Sequence, residues 1–347
     1  MKNILQFTSI IGAVLALTFS SCHKPDYKSS NVIPVSVPTV TPTNTVTGTG
    51  PSTDKTKLNE LFGGLKTMSQ TFTVSAGTYQ TVTGNNGTRL NFYPNSFKNA
   101  SGTVITSGSV VITMKEIKTV GQMIANRATT TSGGKLLTSG GEVYITASQS
   151  GTEVYANKYG IGFQQSAPSA QRMALFYGNT SNADSITTWT VADTTLGGTL
   201  STSTTTDTSI VDSFGVITYY HQFDSCTNFH WINCDYFYGS SSPLTDVSVV
   251  VPDTSFNQSN TEVFVVFPSI TAATHMTQYS ASTHTFDLSS GFHVPVGMTI
   301  EIAVVTNKGG NWYYYEQTGI TTTSGISLTA SMSVQSLSYI LAHISAL

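Results

Sequence analysis

Charge is what this sequence has least of. Only 10% of its 347 residues are Asp, Glu, Lys or Arg, against about a quarter in ordinary globular domains. The net charge is −3, and a chain disordered throughout needs the strong self-repulsion that this one lacks. Basic residues nearly vanish from the distal half. Residues 181–347 hold Lys308 alone against 12 acids, a net of −11, whereas residues 1–180 hold 14 of the 15 basic residues and 6 of the 18 acidic ones, a net of +8. Phosphate contacts need clustered Lys and Arg, so no nucleic-acid partner is expected. The basic half has the sign to face anionic lipid headgroups.

Motifs of catalysis are missing as well. No GxSxG elbow occurs, and Ser is so abundant that any Ser–His–Asp choice is arbitrary. His275, His284 and His293 are not linked by an HExxH or similar pair. The glycines at Ser132–Gly134 and Gly140–Gly141 lack the Lys-Ser/Thr of a phosphate loop. Glu142, Glu153, Glu262, Glu301 and Glu316 stand isolated in strands or turns. Two such acids can flank a glycosidic bond, but nothing in the sequence selects them. No catalytic residue, cofactor or metal is assigned.

What is present begins at the N-terminus. Lys2 precedes an apolar run, Ile4 to Leu17, that ends in the small residues Ser20 and Ser21. This is the pattern of a secretory signal peptide, residues 1–21. The run is shorter than the about 20 residues a membrane-spanning helix needs. Phe19-Ser20-Ser21-Cys22 resembles the lipobox of bacterial lipoproteins, which implies acylation of Cys22. Each buried methylene adds about 0.8 kcal/mol, so a multiply acylated Cys is a durable anchor. No Asp follows Cys22, which by the same resemblance implies the outer membrane. His23-Lys24-Pro25-Asp26-Tyr27-Lys28 resembles the export signals that follow the cysteine in Bacteroidota lipoproteins. Residues 22–57 then read as a tether, with Pro34, Pro38, Pro42 and Pro51 spaced among Thr, Ser and Val. Such a segment extends at about 3 Å per residue. Lys57–Thr67 is expected to hold one helical turn before Gly63-Gly64 ends it.

Low charge combined with many β-branched and aromatic residues predicts strands rather than helices. The expected fold is all-β, with two mainly antiparallel β-sandwich-like modules and a short C-terminal helix. Phe72–Val74, Thr88–Tyr93, Ser109–Ile117 and Gly140–Ser148 alternate or read as strands in the first module, residues 68–165. Residues 166–245 are a connecting β-region, in which Thr194–Ser209 reads as a flexible loop. Residues 246–347 form the second module, with strands at Val247–Val251, Val263–Phe267, Thr299–Thr306 and Trp312–Gln317. Val334, Leu337, Leu341 and Ile344 fall at helical spacing, with Ser331 or Ser333 as the N-cap.

Ser75-Ala-Gly77, Gly87–Phe97, Gly108–Thr113 and Gly140–Ile145 together resemble a ZU5-type β-sandwich module found in Bacteroidota outer-membrane lipoproteins. Trp231-Ile-Asn-Cys-Asp235 is similar to another recurrent piece of those proteins. The resemblance implies packing roles, Pro94 ending a strand and Phe97 plugging the sandwich, and brings no activity.

Cys226-x3-His230-x3-Cys234, with His221, Asp224 and Asp235 nearby, is the densest chemical cluster. Zinc takes Cys and His at short spacings, yet known signatures usually supply two pairs of ligands. In an oxidising compartment two thiols this close default to a disulfide, so Cys226–Cys234 is the expected bond. It closes a loop worth roughly 2.5 kcal/mol on the chain-entropy model. Tyr236, Tyr238, Trp312 and Tyr314 are the candidate ligand-binding aromatics. Alternation on a strand places Trp312 and Tyr314 on one face and Tyr313 and Tyr315 on the other, so one of those pairs is core. Three readings of function stay open. One is a non-catalytic, lipid-anchored envelope protein presenting a β-rich surface to a protein partner. The second is a glycan-binding surface lipoprotein, and the third a hydrolase or metal enzyme with its site around His221–Asp235.

Overall fold

Strict alternation makes the strands, and it is visible in their burial. Along Ser109–Ile117, Val110, Ile112 and Met114 point inward and are fully buried, while Ser109, Val111 and Thr113 face outward. The computed structural model describes residues 53–166, 171–179, 188–192, 206–211 and 217–347. The signal segment, Cys22 and the Pro-rich stretch lie outside the described residues, as does most of the Thr194–Ser209 loop. Residues 206–209 of that loop are described, and they belong to a strand, Thr206–Val211. Pairing with a neighbouring strand overrides their low sequence complexity.

In chain order the principal elements are α1 (Asp54–Leu65), β1 (Gln70–Ser75), β2 (Gln80–Thr83), β3 (Arg89–Phe92), β4 (Ser109–Ile117), α2 (Val120–Asn126), β5 (Lys135–Gln149), β6 (Thr152–Ala156), β7 (Tyr159–Gln165), β8 (Ala174–Asn179) and β9 (Thr188–Val191). They continue with β10 (Thr206–Val211), β11 (Ile217–Cys226), β12 (His230–Phe237), β13 (Val247–Val250), β14 (Thr261–Phe267), β15 (Ala272–His275), β16 (Thr299–Lys308), β17 (Asn311–Thr321) and α3 (Leu337–Ala346). Strands dominate and the three helices are short, so the fold is all-β.

The first sandwich packs a large sheet on a smaller one. In the large sheet β9, β8, β12, β5 and β6 lie side by side, and β1 and β4 join through β5. The smaller sheet runs β10-β11-β7-β3-β2. Between them sits a core that includes Phe92, Phe97, Ile112, Val143, Ile161, Phe163, Phe223 and Ile232. Phe97 is fully buried against Phe92, with ring centroids 5.0 Å apart. Residues 166–245 supply β8 to β12, so this segment completes both sheets of the first sandwich.

The second β-region pairs β15-β14-β16-β17 in one sheet and sets β13 in another, where it runs parallel to Ile326–Thr329. Val249, Val263, Val265, Phe267, Ile302 and Val304 fill the space between these sheets. Helices then cover the outer face of β14, β16 and β17. Leu58, Leu61 and Phe62 of α1, Val120 and Ile124 of α2, and Ile340 and Ile344 of α3 pack on Phe264, Val266, Val305 and Tyr314. Strand β14 is therefore buried along its whole length.

Two expectations about helices are corrected by this layer. Helix α1 does not stop at Gly63-Gly64. It runs 12 residues from a Thr53 cap, because burial of Leu58, Leu61 and Phe62 outweighs the about 1 kcal/mol per glycine that propensity costs. Helix α3 begins at Leu337, and its cap is Ser336, whose Oγ accepts from Tyr339 N at 3.2 Å. Ser333-Val334 instead pairs with β17. Helices α2 and α3 touch closely enough that a Cβ on Gly121 would lie 2.2 Å from Ile344 O, which only glycine permits. No helix among the described residues is long and apolar enough to cross a membrane.

Candidate functional site

A shallow groove of about 670 Å³ opens on the first sandwich. Its walls come from the Lys98–Gly102 turn, strand β6 and the Thr227–His230 turn. That last turn carries the chain from β11 in the smaller sheet to β12 in the large one. Two tyrosine hydroxyls hold it: Tyr159 donates to Asn228 O at 2.9 Å, and Thr227 N donates to Tyr177 Oη at 3.1 Å. His230 completes the corner with φ +68. A non-glycine residue in the left-handed region is uncommon and stores strain that surrounding contacts must hold.

Those contacts are polar and aromatic. His230 Nε2 lies 3.1 Å from Glu153 Oε1, and Tyr155 donates to Glu153 Oε2 at 3.2 Å. The charge and hydrogen bond of Glu153 push the Tyr155 phenol above its ordinary range. The His230 ring stacks on Tyr144 at 5.8 Å with 17° between planes, and Lys115 Nζ sits 5.9 Å over the same tyrosine. Glu153, Tyr155 and His230 are exposed. Ser101 beside them donates its hydroxyl to Asn99 Oδ1 at 2.7 Å. The arrangement offers ring faces, an amide, a hydroxyl and charges of both signs to a partner lying across the groove.

Of the expected cluster, only His230 reaches this groove. Cys226 and Cys234 are not joined in a disulfide; both are buried thiols. Only seven residues separate them in sequence, but Cys226 ends a strand of the smaller sheet and Cys234 lies four residues beyond the start of a strand of the other. That stretch of strand alone rises about 13 Å. Cys226 shares hydrogen bonds with the Tyr177 and Tyr159 hydroxyls, and burial pushes its thiol up. His221 is buried within β11, while Asp224 is exposed and accepts from Gln222 Nε2 at 3.0 Å. Among the described residues no three His, Cys, Asp or Glu side chains converge in a way that could hold a metal ion.

The candidate aromatics also go to packing. Tyr236 lies against the first core and Tyr238 against the second. Tyr314 is buried and Trp312 half-buried under the helices, while Tyr313 and Tyr315 pack on the inter-sheet core. The alternation along β17 holds, but both faces are covered, not one. The covering helices are distant in sequence, and nothing in residues 312–315 signals them.

Two further groups escape the sequence reading. Glu262 in β14 is only 2% exposed and receives Lys55 Nζ at 2.5 Å, Arg127 Nη2 at 3.2 Å and His275 Nε2 at 2.6 Å. Burial raises its pKa, but the His275 hydrogen bond and the charges of His275, Arg127 and Lys55 outweigh that and hold it down at about 2. Glu142 in β5 and Asp235 in β12 are also fully buried, yet no cation pairs with either. Burial pushes Asp235 up to about 8 and, with the Asp235 charge, Glu142 well above the usual carboxylate range.

Comparison with known proteins adds no relative: no family model matches the chain, and no curated protein matches it.

Proposed function

We propose that this chain is a lipid-anchored, non-catalytic protein of the cell outer membrane, of the ZU5-bearing lipoprotein type it resembles, and that it presents the His230 groove to an envelope partner. The observation that carries this reading is a separation of chemistry from access. The strongly perturbed carboxyls and thiol, Glu142, Asp235 and Cys226, are fully buried, and the strongly perturbed group at the groove, the half-buried Tyr177 phenol, is engaged by Thr227 N and Cys226, whereas active sites expose such groups to substrate. The groove is shallow, and one of its walls is anchored by two tyrosines, as suits recognition by a preformed surface. Acylated Cys22 would supply the anchor.

A glycan partner is the second reading, and the half-exposed rings of Tyr155 and His230 favour it. They replace Tyr236, Tyr238, Trp312 and Tyr314 as the candidate binding aromatics. The test is to probe the full chain with a bacterial and host glycan array and with in-membrane crosslinking from residue 155. Tyr155→Ala is expected to weaken any partner at least tenfold without lowering the melting temperature, since its side chain is exposed, whereas Glu153→Ala is expected to weaken the partner and also to lower the melting temperature slightly, since Glu153 holds His230. Binding unchanged in both variants would remove the groove from the proposal. Cys22→Ser is expected to move the protein from the membrane to the soluble fraction, and retention in membranes would remove the anchor.

A further inference from the structure

We infer that Glu142, Asn233 and Asp235 form a closed ring of hydrogen bonds in which both carboxyls keep their protons, and that this neutral ring locks the joint between the two β-regions. It stands independently of the envelope reading.

The argument is an accounting of donors and acceptors. Asn233 lies directly across from Glu142 in the β12–β5 ladder, and Asp235 across from Ser139. These side chains share the outer face of the sheet, opposite the face on which Val143 and Ile232 enter the first core. Asn233 Nδ2 donates to Asp235 Oδ2 at 2.5 Å. Four neighbouring oxygens, Glu142 Oε1 and Oε2, Asn233 Oδ1 and Asp235 Oδ1, are buried with no partner. All four are acceptors if both acids are ionised, and a buried acceptor without a donor costs about 1–3 kcal/mol, more when charged. Two protons resolve all four. The Asp235 Oδ1–H donates to one Glu142 oxygen, the other Glu142 oxygen donates to Asn233 Oδ1, and the Asn233 amide closes the circle on Asp235.

A metal ion serves the same oxygens less well. Hard cations take six to eight oxygen ligands, and only four are unclaimed here. The other titratable groups are engaged or on the opposite face. Lys118 and Cys234 lie on the inner side of the sheet, where Lys118 Nζ stands 2.6 Å from a Cβ placed on Gly141. Glu116 on β4 accepts from the backbone of Asn86 and Thr88. Arg127, from the helical layer, is held by Glu262 and Asn59. Among the described residues the titratable neighbour that acts on Glu142 is Asp235, whose ionisation would raise the Glu142 carboxyl further.

The ring sits where it can act as a lock. The β12–β5 register shifts between Asn233 and Asp235, so Gly140 and Gly141 bulge opposite Cys234, with Gly141 at φ +124. On one side of this bulge β5 sends Val143, Ile145 and Ala147 into the first core. On the other it sends Leu136 into the second core and Leu137 under Phe176 and Trp189. One strand thus joins the two β-regions, and its single irregular point is pinned by the ring.

The test is infrared spectroscopy of the full chain and of Glu142→Gln, whose amide can make the same donation to Asn233. At pH 6.5 the wild type is expected to show the carbonyl band of buried protonated carboxyl, weakened in Glu142→Gln while the melting temperature does not fall. Raising the pH through about 8 is expected to remove the Asp235 share of that band and to speed amide exchange at the bulge at least tenfold relative to the amides of strand β14 in the same sample, so that the base-catalysed acceleration common to all amides cancels. A folded wild type with no acid band at pH 6.5 would overturn the ring. So would a stoichiometric metal ion, detected by elemental analysis, whose removal by chelator lowers the melting temperature. If Glu142→Gln does not fold, the wild-type band and metal content decide alone.

Discussion

Glu262 and the Glu142–Asp235 pair are equally hidden from water, and their acidities move in opposite directions. Burial raises a carboxyl by disfavouring its charge, and only partners reverse that. Glu262 has a lysine, an arginine and a histidine within 3.2 Å and stays ionised. The other two acids meet no cation among the described residues; Asp235 takes hydrogen bonds from Ser139, Asn233 and the Gly140 backbone, but burial outweighs them and pushes it up to about 8. Burial alone therefore predicts nothing about charge in this molecule. The difference also maps to place. Glu262 ties α1 and the end of α2 to strand β14, where elements distant in sequence must be brought together, whereas the neutral pair closes a bulge within two adjacent strands.

The comparison is broken most directly at Glu262. Glu262→Gln leaves Arg127 and Lys55 without their counter-charge, and a loss of about 3–5 kcal/mol is expected in urea unfolding at pH 7. Next in size is the pH profile. Glu262 is held below its ordinary value, so its contribution is complete above pH about 4.5 and is lost as the pH falls toward 2. Asp235 is held above its ordinary value, so its contribution is complete below pH about 4 and is lost as the pH rises toward 8. Calorimetric scans are expected to show stability falling on both sides of pH 4, on the order of 1 kcal/mol per pH unit and titrating proton. Glu262→Gln is expected to flatten the acid limb only, and Glu142→Gln to reduce the slope of the other. Loss of both limbs in one variant would mean that the two regions are coupled. Lys55→Ala is smaller, about 0.2–1 kcal/mol, because that ammonium is 42% exposed and screened by water. Smallest is Glu142→Gln at pH 4, expected within about 0.5 kcal/mol of wild type, since there an amide replaces an acid that is largely neutral in both the folded and the unfolded chain. The same chemical change in Glu262 and Glu142 thus separates a paired charge from a proton-bearing one.

Much of the fold was legible in the sequence because strand burial has a period of two. Ser109–Ile117 and Gly140–Ser148 were visible as strands, while the packing role of Phe97 came only from the resemblance. The site was legible only in fragments. Gly140-Gly141-Glu142 and Asn233-Cys234-Asp235 each stood out as short pieces of a resemblance, with no sign that one lies across from the other. Cys226 and Cys234 misled for the converse reason. Closeness in sequence suggested a bond, but the chain between them changes sheets. Trp312–Tyr315 misled because helices from both ends of the described chain cover the face that alternation leaves for solvent.

By itself, then, the sequence determined that the chain is all-β, that its charge is divided between halves, and where its strands alternate. Each of these follows from local composition and spacing, which act within a few residues. The tertiary structure alone decided which strands are neighbours, and with that which acids meet a cation and which meet another acid. Strand pairing is a long-range choice, set by the packing of whole sheets, and the ionisation of a buried carboxyl depends on what that choice places within a few ångströms of it.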